Sequence, residues 1–183
     1  MLRTALTLAH KGIHVFPCLV RSKILATSHG FLDASTDAGV IKEWWRSEPN
    51  YNIGIRTGTA SKLFAIDLDG LDAEAAIAAL ECAHGELPAT VETITARGRH
   101  VYFRMPATTV SCSSGKIAAG IDVKADGGYT LAPPSVHPTG RRYCWSVDTA
   151  NELAAAPDWL LKIVAVDKPK SSRASHGVAR HRH

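Results

Sequence analysis

The sequence predicts a mixed α+β fold, and two observations carry that expectation. Helical and strand-like stretches alternate through the first half of the chain, which suggests an α/β layer and not a helical bundle. The second half turns to short strands joined by Gly- and Pro-rich segments. At 183 residues the chain has room for one sizeable domain, or a domain with a small appendage, and it carries no internal repeat.

Each element has its own local reason. Residues 2–11 set Leu2, Ala5, Leu6 and Ala9 at helical spacing, and Gly12 is suited to a left-handed stop. A short strand over 13–16 ends at Pro17. Residues 21–36 show no sustained period and hold Lys23, His29 and Asp33, which predicts a long surface loop of the kind that carries function. Thr36 or Asp37 can cap a second helix through Ile41, Trp44 and Trp45, with Pro49 marking its end. Residues 53–55 read as a strand, and 56–58 as a turn to its hairpin partner, the apolar run 63–69. An alanine-rich helix over 71–83 closes at His84-Gly85. Residues 91–95 and 100–103 flank Ala96-Arg97-Gly98-Arg99 as a hairpin, and 121–123, 129–132 and 143–145 add short strands. Pro157 suits the first position of a final helix that packs Trp159, Leu160 and Ile163 on the body.

Composition narrows the function classes. No segment approaches the ~18 consecutive apolar residues of a membrane span, and the N-terminus lacks a signal-peptide pattern, so a cytoplasmic protein without membrane attachment is expected. Cys18, Cys82, Cys112 and Cys144 lie far apart without a Cys-x-x-Cys pair. That argues against structural zinc and for reduced, mostly buried thiols. The net charge is +4, but residues 162–183 hold six Lys or Arg against one Asp, leaving fifteen basic and sixteen acidic residues elsewhere. The basicity belongs to a tail over 167–183, expected to be a disordered linker, and the body is nearly neutral. A body of this charge must grip a polyanion through a local patch.

The run Leu63-Phe64-Ala65-Ile66-Asp67-Leu68-Asp69 ends in two carboxylates. In a strand they share one face while Leu68 enters the core. Two like charges this close invite a divalent cation between them. The same residues can also serve as a strand end followed by a helix cap. His100 opens a later strand, and Asp122 sits between Ile121 and Val123, ahead of Lys124 and the Gly127-Gly128 pair.

In this order the three features resemble the archaeo-eukaryotic primase superfamily: an Asp-x-Asp/Glu motif, a histidine motif and an apolar-Asp motif. The closer similarity is to the bifunctional DNA primase/polymerase (prim-pol) domain of plasmid and phage replication proteins. Four further stretches carry it: Val15-Phe16-Pro17; His29-Gly30-Phe31-Leu32-Asp33-Ala34-Ser35-Thr36-Asp37 with Trp44-Trp45; Asn52-Ile53-Gly54-Ile55-Arg56-Thr57-Gly58; and Gly128-Tyr129-Thr130-Leu131-Ala132-Pro133-Pro134-Ser135. The chain departs from the family pattern at Ile24-Leu25 after Lys23, and at Ala96-Arg97-Gly98-Arg99 ahead of His100.

The resemblance implies a catalytic domain over 1–166. Within it, an RNA-recognition-motif-like sheet packs against an N-terminal α/β part, and the two share one cleft. It implies a template-directed nucleotidyltransferase, acting on single-stranded DNA with dNTPs or NTPs in plasmid, phage or mobile-element replication. Asp67, Asp69 and Asp122 would hold two Mg²⁺ or Mn²⁺ ions, and His100 would sit on the phosphates of the incoming nucleotide. Arg97 and Lys124 are the better candidates for further phosphate contacts, because Arg99 neighbours His100 and should point to the opposite face. Gly128 would let the backbone approach the nucleotide, and Ser135 and His137, after Pro133-Pro134, could reach sugar or phosphate. Lys23, His29 and Arg56 are further candidates at the cleft.

No Walker A sequence is present, so a helicase partner is expected either C-terminal to this domain or as a separate protein. Two other functions are weighed beside it: a metal-dependent nuclease or phosphoesterase, which would use the same carboxylates on water, and a non-catalytic single-stranded-DNA-binding replication module, which would not need them. The near-neutral body predicts a weak, salt-sensitive hold on template and short, distributive products.

Overall fold

A computed structural model describes residues 1–166; the tail expected over 167–183 lies outside the described residues. Helix α1 (Leu2–His10) and helix α2 (Ala38–Ser47) belong to the N-terminal part with strands β1 (Val15–Cys18) and β2 (Asn52–Arg56). Asp37 is the cap of α2, its Oδ1 accepting the Val40 N–H at 2.9 Å. Gly12 takes the left-handed conformation after α1, at φ +81°. The loop between β1 and α2 carries one short 3₁₀ turn, Gly30–Asp33.

Strand β3 (Leu63–Asp69) leads into α3 (Leu71–His84), whose first turn holds Asp72 and Glu74 at the positive end of the helix dipole. The remaining strands are β4 (Val91–Ile94), β5 (Gly98–Arg104), β6 (Ser113–Ser114), β7 (Ile121–Lys124), β8 (Tyr129–Ala132), β9 (Cys144–Trp145) and β10 (Ala154–Ala155), followed by α4 (Asp158–Val164).

Two sheets result. The larger has the order β6-β7-β3-β5-β4-β9, antiparallel throughout, with β10 added in parallel to β5. The smaller is β1-β2-β8, also antiparallel. Alternation along β3 divides the core. Phe64, Ile66 and Leu68 point with Val101, Phe103, Ile121 and Val123 towards α3 and α4, where Ala73, Ile77, Leu160 and Val164 close over them. Leu63 and Ala65 point the other way, into a second cluster with Tyr102, Ile53, Ile55, Ile41, Trp45 and Ala132. The small sheet and the first two helices thus cover part of the face on which Asp67 and Asp69 stand. A third cluster, Phe16, Cys18, Leu131 and Tyr143, lies under the loop residues Leu25, Phe31 and Ala34.

Several expectations need correction. Pro17 does not end the first strand but lies inside β1, paired with Ile53. The strand is at the sheet edge, where a missing N–H costs no ladder bond. Strands β2 and β3 are not hairpin partners: the turn after Arg56 carries the chain from the small sheet to the large one. The thiols are not mostly buried, since only Cys18 is, while Cys82, Cys112 and Cys144 are exposed. In α4 the deeply buried side chains are Leu160 and Val164, with Pro157 as the cap and Ile163 only half-buried. The two-residue strands β6, β9 and β10 are too short to carry a readable alternation. No helix among the described residues is long and apolar enough to cross a membrane.

Candidate active site

The antiparallel register builds one polar row across the large sheet. Asp67 on β3 is the partner of Asp122 on β7 and, on its other side, of His100 on β5; His100 in turn faces Thr93 on β4. Residues opposite one another share a face with Cβ atoms about 5 Å apart. Three residues separated by 55 positions of sequence therefore stand side by side. Their neighbours Leu68, Ile121 and Val123, each one position away, are buried on the opposite face and hold the row in register.

Each carboxylate is turned towards a basic side chain. His100 Nε2 lies 3.3 Å from Asp67 Oδ1, Lys124 Nζ 2.9 Å from Asp122 Oδ2, and Arg97 Nη2 2.5 Å from Asp69 Oδ2. His100 is anchored at its other nitrogen, with Nδ1 3.2 Å from the Tyr102 hydroxyl, which donates to Thr130 Oγ1 on the small sheet. Arg99 points to the far face, where it binds Glu74 and Glu92. That disposition matches the expectation from strand alternation.

Burial acts to raise the Asp67 carboxyl, but the His100 hydrogen bond, with the charges of His100, Lys124 and Lys23, outweighs it and holds the group below its ordinary value. For Lys124, burial favours the neutral amine, yet the Asp122 carboxylate keeps the group above its usual value and charged. His137 is pushed down by burial and by the charges of Lys23 and Arg97, which favours the neutral ring.

The row opens into a cleft with two lobes. One, of ≈ 330 Å³, is bounded by Lys23, Lys124, Gly128, Tyr129 and Cys112. The other, much narrower, lies among Asp69, Arg97, Thr95 and His137. Asp67, His100, Lys23 and Tyr143 border both. The cleft therefore gathers Asp67, Asp69, His100, Arg97, Lys124, Gly128, His137 and Lys23, with Asp122 beside Lys124.

Three expected residues are not brought in. Ser135 is fully buried, and its hydroxyl accepts the Ile53 N–H at 2.9 Å, tying the turn after β8 to β2. It serves the fold and does not reach sugar or phosphate. His29 is exposed and paired with Asp33 on the 3₁₀ turn. Arg56 lies over the Phe31 ring, 5.9 Å from its centroid, and borders neither lobe.

Sequence reading missed the aromatic walls. The Tyr143 ring lies 6.1 Å from His100 and 6.3 Å from His137, and Tyr129 lines the larger lobe. Tyr102 had a signal: two residues from His100, it must share that residue's face. Tyr143 belongs to no motif and reaches the site through the return of the chain to β9.

A divalent cation fits the chemistry of the donor set, which offers three oxygen-only carboxylates with Asp67 and Asp122 in register. Among the described residues no three His, Cys, Asp or Glu side chains converge on one point as they stand. Asp67, Asp69 and Asp122 are each paired with a different basic side chain, His100, Arg97 and Lys124. Clustered carboxylates and basic side chains around one cleft suit a phosphorylated substrate.

The family comparison gives that class its identity. The model of the bifunctional DNA primase/polymerase, N-terminal, matches residues 5–159, and the chain belongs to that family. Its α+β architecture is accordingly that of the primase superfamily. Membership ties the chain to DNA primase/polymerase-type replication, in a family that generally comprises metal-using nucleotidyltransferases acting on DNA and nucleotides. A search of the curated proteins finds no match.

Proposed function

We propose that residues 1–166 form a template-directed nucleotidyltransferase that extends, and also initiates, DNA strands on a single-stranded DNA template. The observation that carries this reading is the register row Asp122–Asp67–His100, flanked by Asp69, Arg97 and Lys124. Asp67, Asp69 and Asp122 would hold two Mg²⁺ or Mn²⁺ ions, which when bound supply a lowered pKa at the primer 3′-hydroxyl and charge compensation at the triphosphate.

The chain's own groups do the remaining work. Arg97, Lys124 and His100 lie within reach of the same carboxylates, so they are placed to take the oxygens of a triphosphate in their stead. The Tyr102–Thr130 hydrogen bonds fix the His100 ring, which limits the reorganisation needed when phosphate arrives. Gly127 leaves the backbone of the larger lobe bare, whereas the space beside Gly128 is filled by Cys112 Sγ, and the half-buried Tyr129 offers an apolar wall for base or sugar. Lys23 and His137 add polar contacts from the N-terminal loop and the turn before β9.

The test is extension of a 5′-labelled primer on single-stranded template with Mg²⁺ or Mn²⁺, comparing dNTPs with NTPs, beside unprimed template. Products in both arms support polymerase and primase activity. Shortened DNA without any need for nucleoside triphosphates would reverse the reading in favour of a nuclease.

A further inference from the structure

The near-neutral body leaves its grip on a polyanion to a local patch, and one lies away from the carboxylates. A second cleft, of ≈ 700 Å³, opens between the end of α1 and the part of the large sheet where β3 begins and β5 ends. Its walls are mainly apolar, with Leu8, Ile13, Leu63 and Val91 contributing. Trp145 on β9 also borders it and is 39% exposed, the one large aromatic side chain on its rim that is open to solvent.

Three cations stand around this cleft: Lys11, Lys62 and Arg104, all exposed. The first lies at the end of α1. The other two come together because Leu63, next to Lys62, is the register partner of Arg104. Among the described residues none of the three forms an ion pair, and Glu152 is the one acidic residue bordering the cleft. Unpaired cations beside an exposed indole call for a ligand that is both flat and anionic. A nucleobase with its phosphates has that chemistry, and stacking on an aromatic side chain requires the base to be free of a duplex.

We propose that this cleft is a second, sequence-tolerant site for single-stranded DNA, with a base stacked on Trp145 and phosphates on Lys11, Lys62 and Arg104. The choice of DNA as the polymer rests on the proposed function; the flat, anionic character of the ligand does not. Strand β5 links the two sites. His100, Tyr102 and Arg104 alternate onto one face, so His100 and Arg104 lie about 14 Å apart at ~3.4 Å per residue. Tyr102 is the partition: its ring borders the second cleft while its hydroxyl holds His100. The site would act as a hold on template that does not depend on metal or nucleotide.

The test is binding of a fluorescein-labelled oligothymidine to the full chain without divalent metal or nucleotide, over a series of salt concentrations, with the same sequence as a duplex for comparison. Lys62→Glu/Arg104→Glu is expected to weaken binding at least 10-fold and to flatten the log–log salt slope by about 1.4, the loss of two single-strand phosphate contacts. Trp145→Ala is expected to weaken binding about 10-fold, and Trp145→Phe to restore most of it, because the ring and not the indole N–H does the stacking. Unchanged affinity and slope in the charge-reversal variant would overturn the proposal, as would equal binding of the duplex. A wild type that binds oligothymidine through these residues but extends no primer would sink the polymerase reading and leave this site standing.

Discussion

Asp67 and His100 face each other as register partners on β3 and β5, with Nε2 of the ring 3.3 Å from Oδ1 of the carboxylate. The pair joins the two chemistries of the cleft, since the carboxylate is a candidate metal ligand and the imidazole a candidate phosphate ligand. It also contributes to the acid limb of the metal-free protein's stability. Asp67 is held below its ordinary value, so its contribution to stability is fully present above about pH 4 and is lost as pH falls through the depressed folded value. Removing His100 leaves burial as the main influence. His100→Ala is expected to move the Asp67 carboxyl titration to higher pH, read by carboxyl-carbon NMR; an unmoved titration would contradict the pairing.

The ion pairs predict a coupling between metal and nucleotide. Lys124 and Arg97 occupy the carboxylates that metal would take, so Lys124→Ala is expected to tighten Mn²⁺ binding in the absence of nucleotide by several-fold while weakening dNTP binding about 10-fold. Titration calorimetry with each ligand alone separates the two effects. Looser binding of both would show that Lys124 only supports the local fold.

Ser135 distinguishes a fold residue from a ligand. Its hydroxyl satisfies a buried backbone N–H of β2, so Ser135→Ala is expected to lower unfolding stability by about 1–3 kcal/mol and to leave the KM for dNTP unchanged. Denaturant unfolding and steady-state kinetics together decide it.

Gly98 sets the spacing at the acidic end of the row. A Cβ there would lie 1.9 Å from the Leu68 carbonyl oxygen, so Gly98→Ala forces β5 away from β3 next to Asp69 and Arg97. A loss of about 1–3 kcal/mol is expected, with activity falling further than stability alone explains. Full activity in a stably folded variant would show that the close approach is not needed.

The elements that were legible in the sequence are those whose pattern is local. Thr36 or Asp37 announced the start of α2, where the structure uses Asp37; Gly12 announced the end of α1, and strand alternation set Asp67 and Asp69 on one face with Arg99 away from His100. The family resemblance implied that Asp122 and His100 share a site with Asp67; that the three form one row came only with the register. What the sequence left hidden depends on pairing between distant segments. The partition into two sheets separates β2 from β3 although a short turn joins them. Ser135 looked available because nothing in its neighbourhood reveals that Ile53 takes its oxygen. Tyr143 enters the cleft only because β9 returns to β4, a two-residue pairing without periodicity.

The most direct test compares the wild type with Asp67→Asn/Asp122→Asn in primer extension with Mn²⁺ and dNTPs, with folding of both checked by circular dichroism. Two carboxylates facing each other in register are predicted to act as one unit, so the variant should fold and lose at least 10²–10³-fold in extension rate. Extension at the wild-type rate by the folded variant would remove the Asp67–Asp122 row from the chemistry and contradict the account.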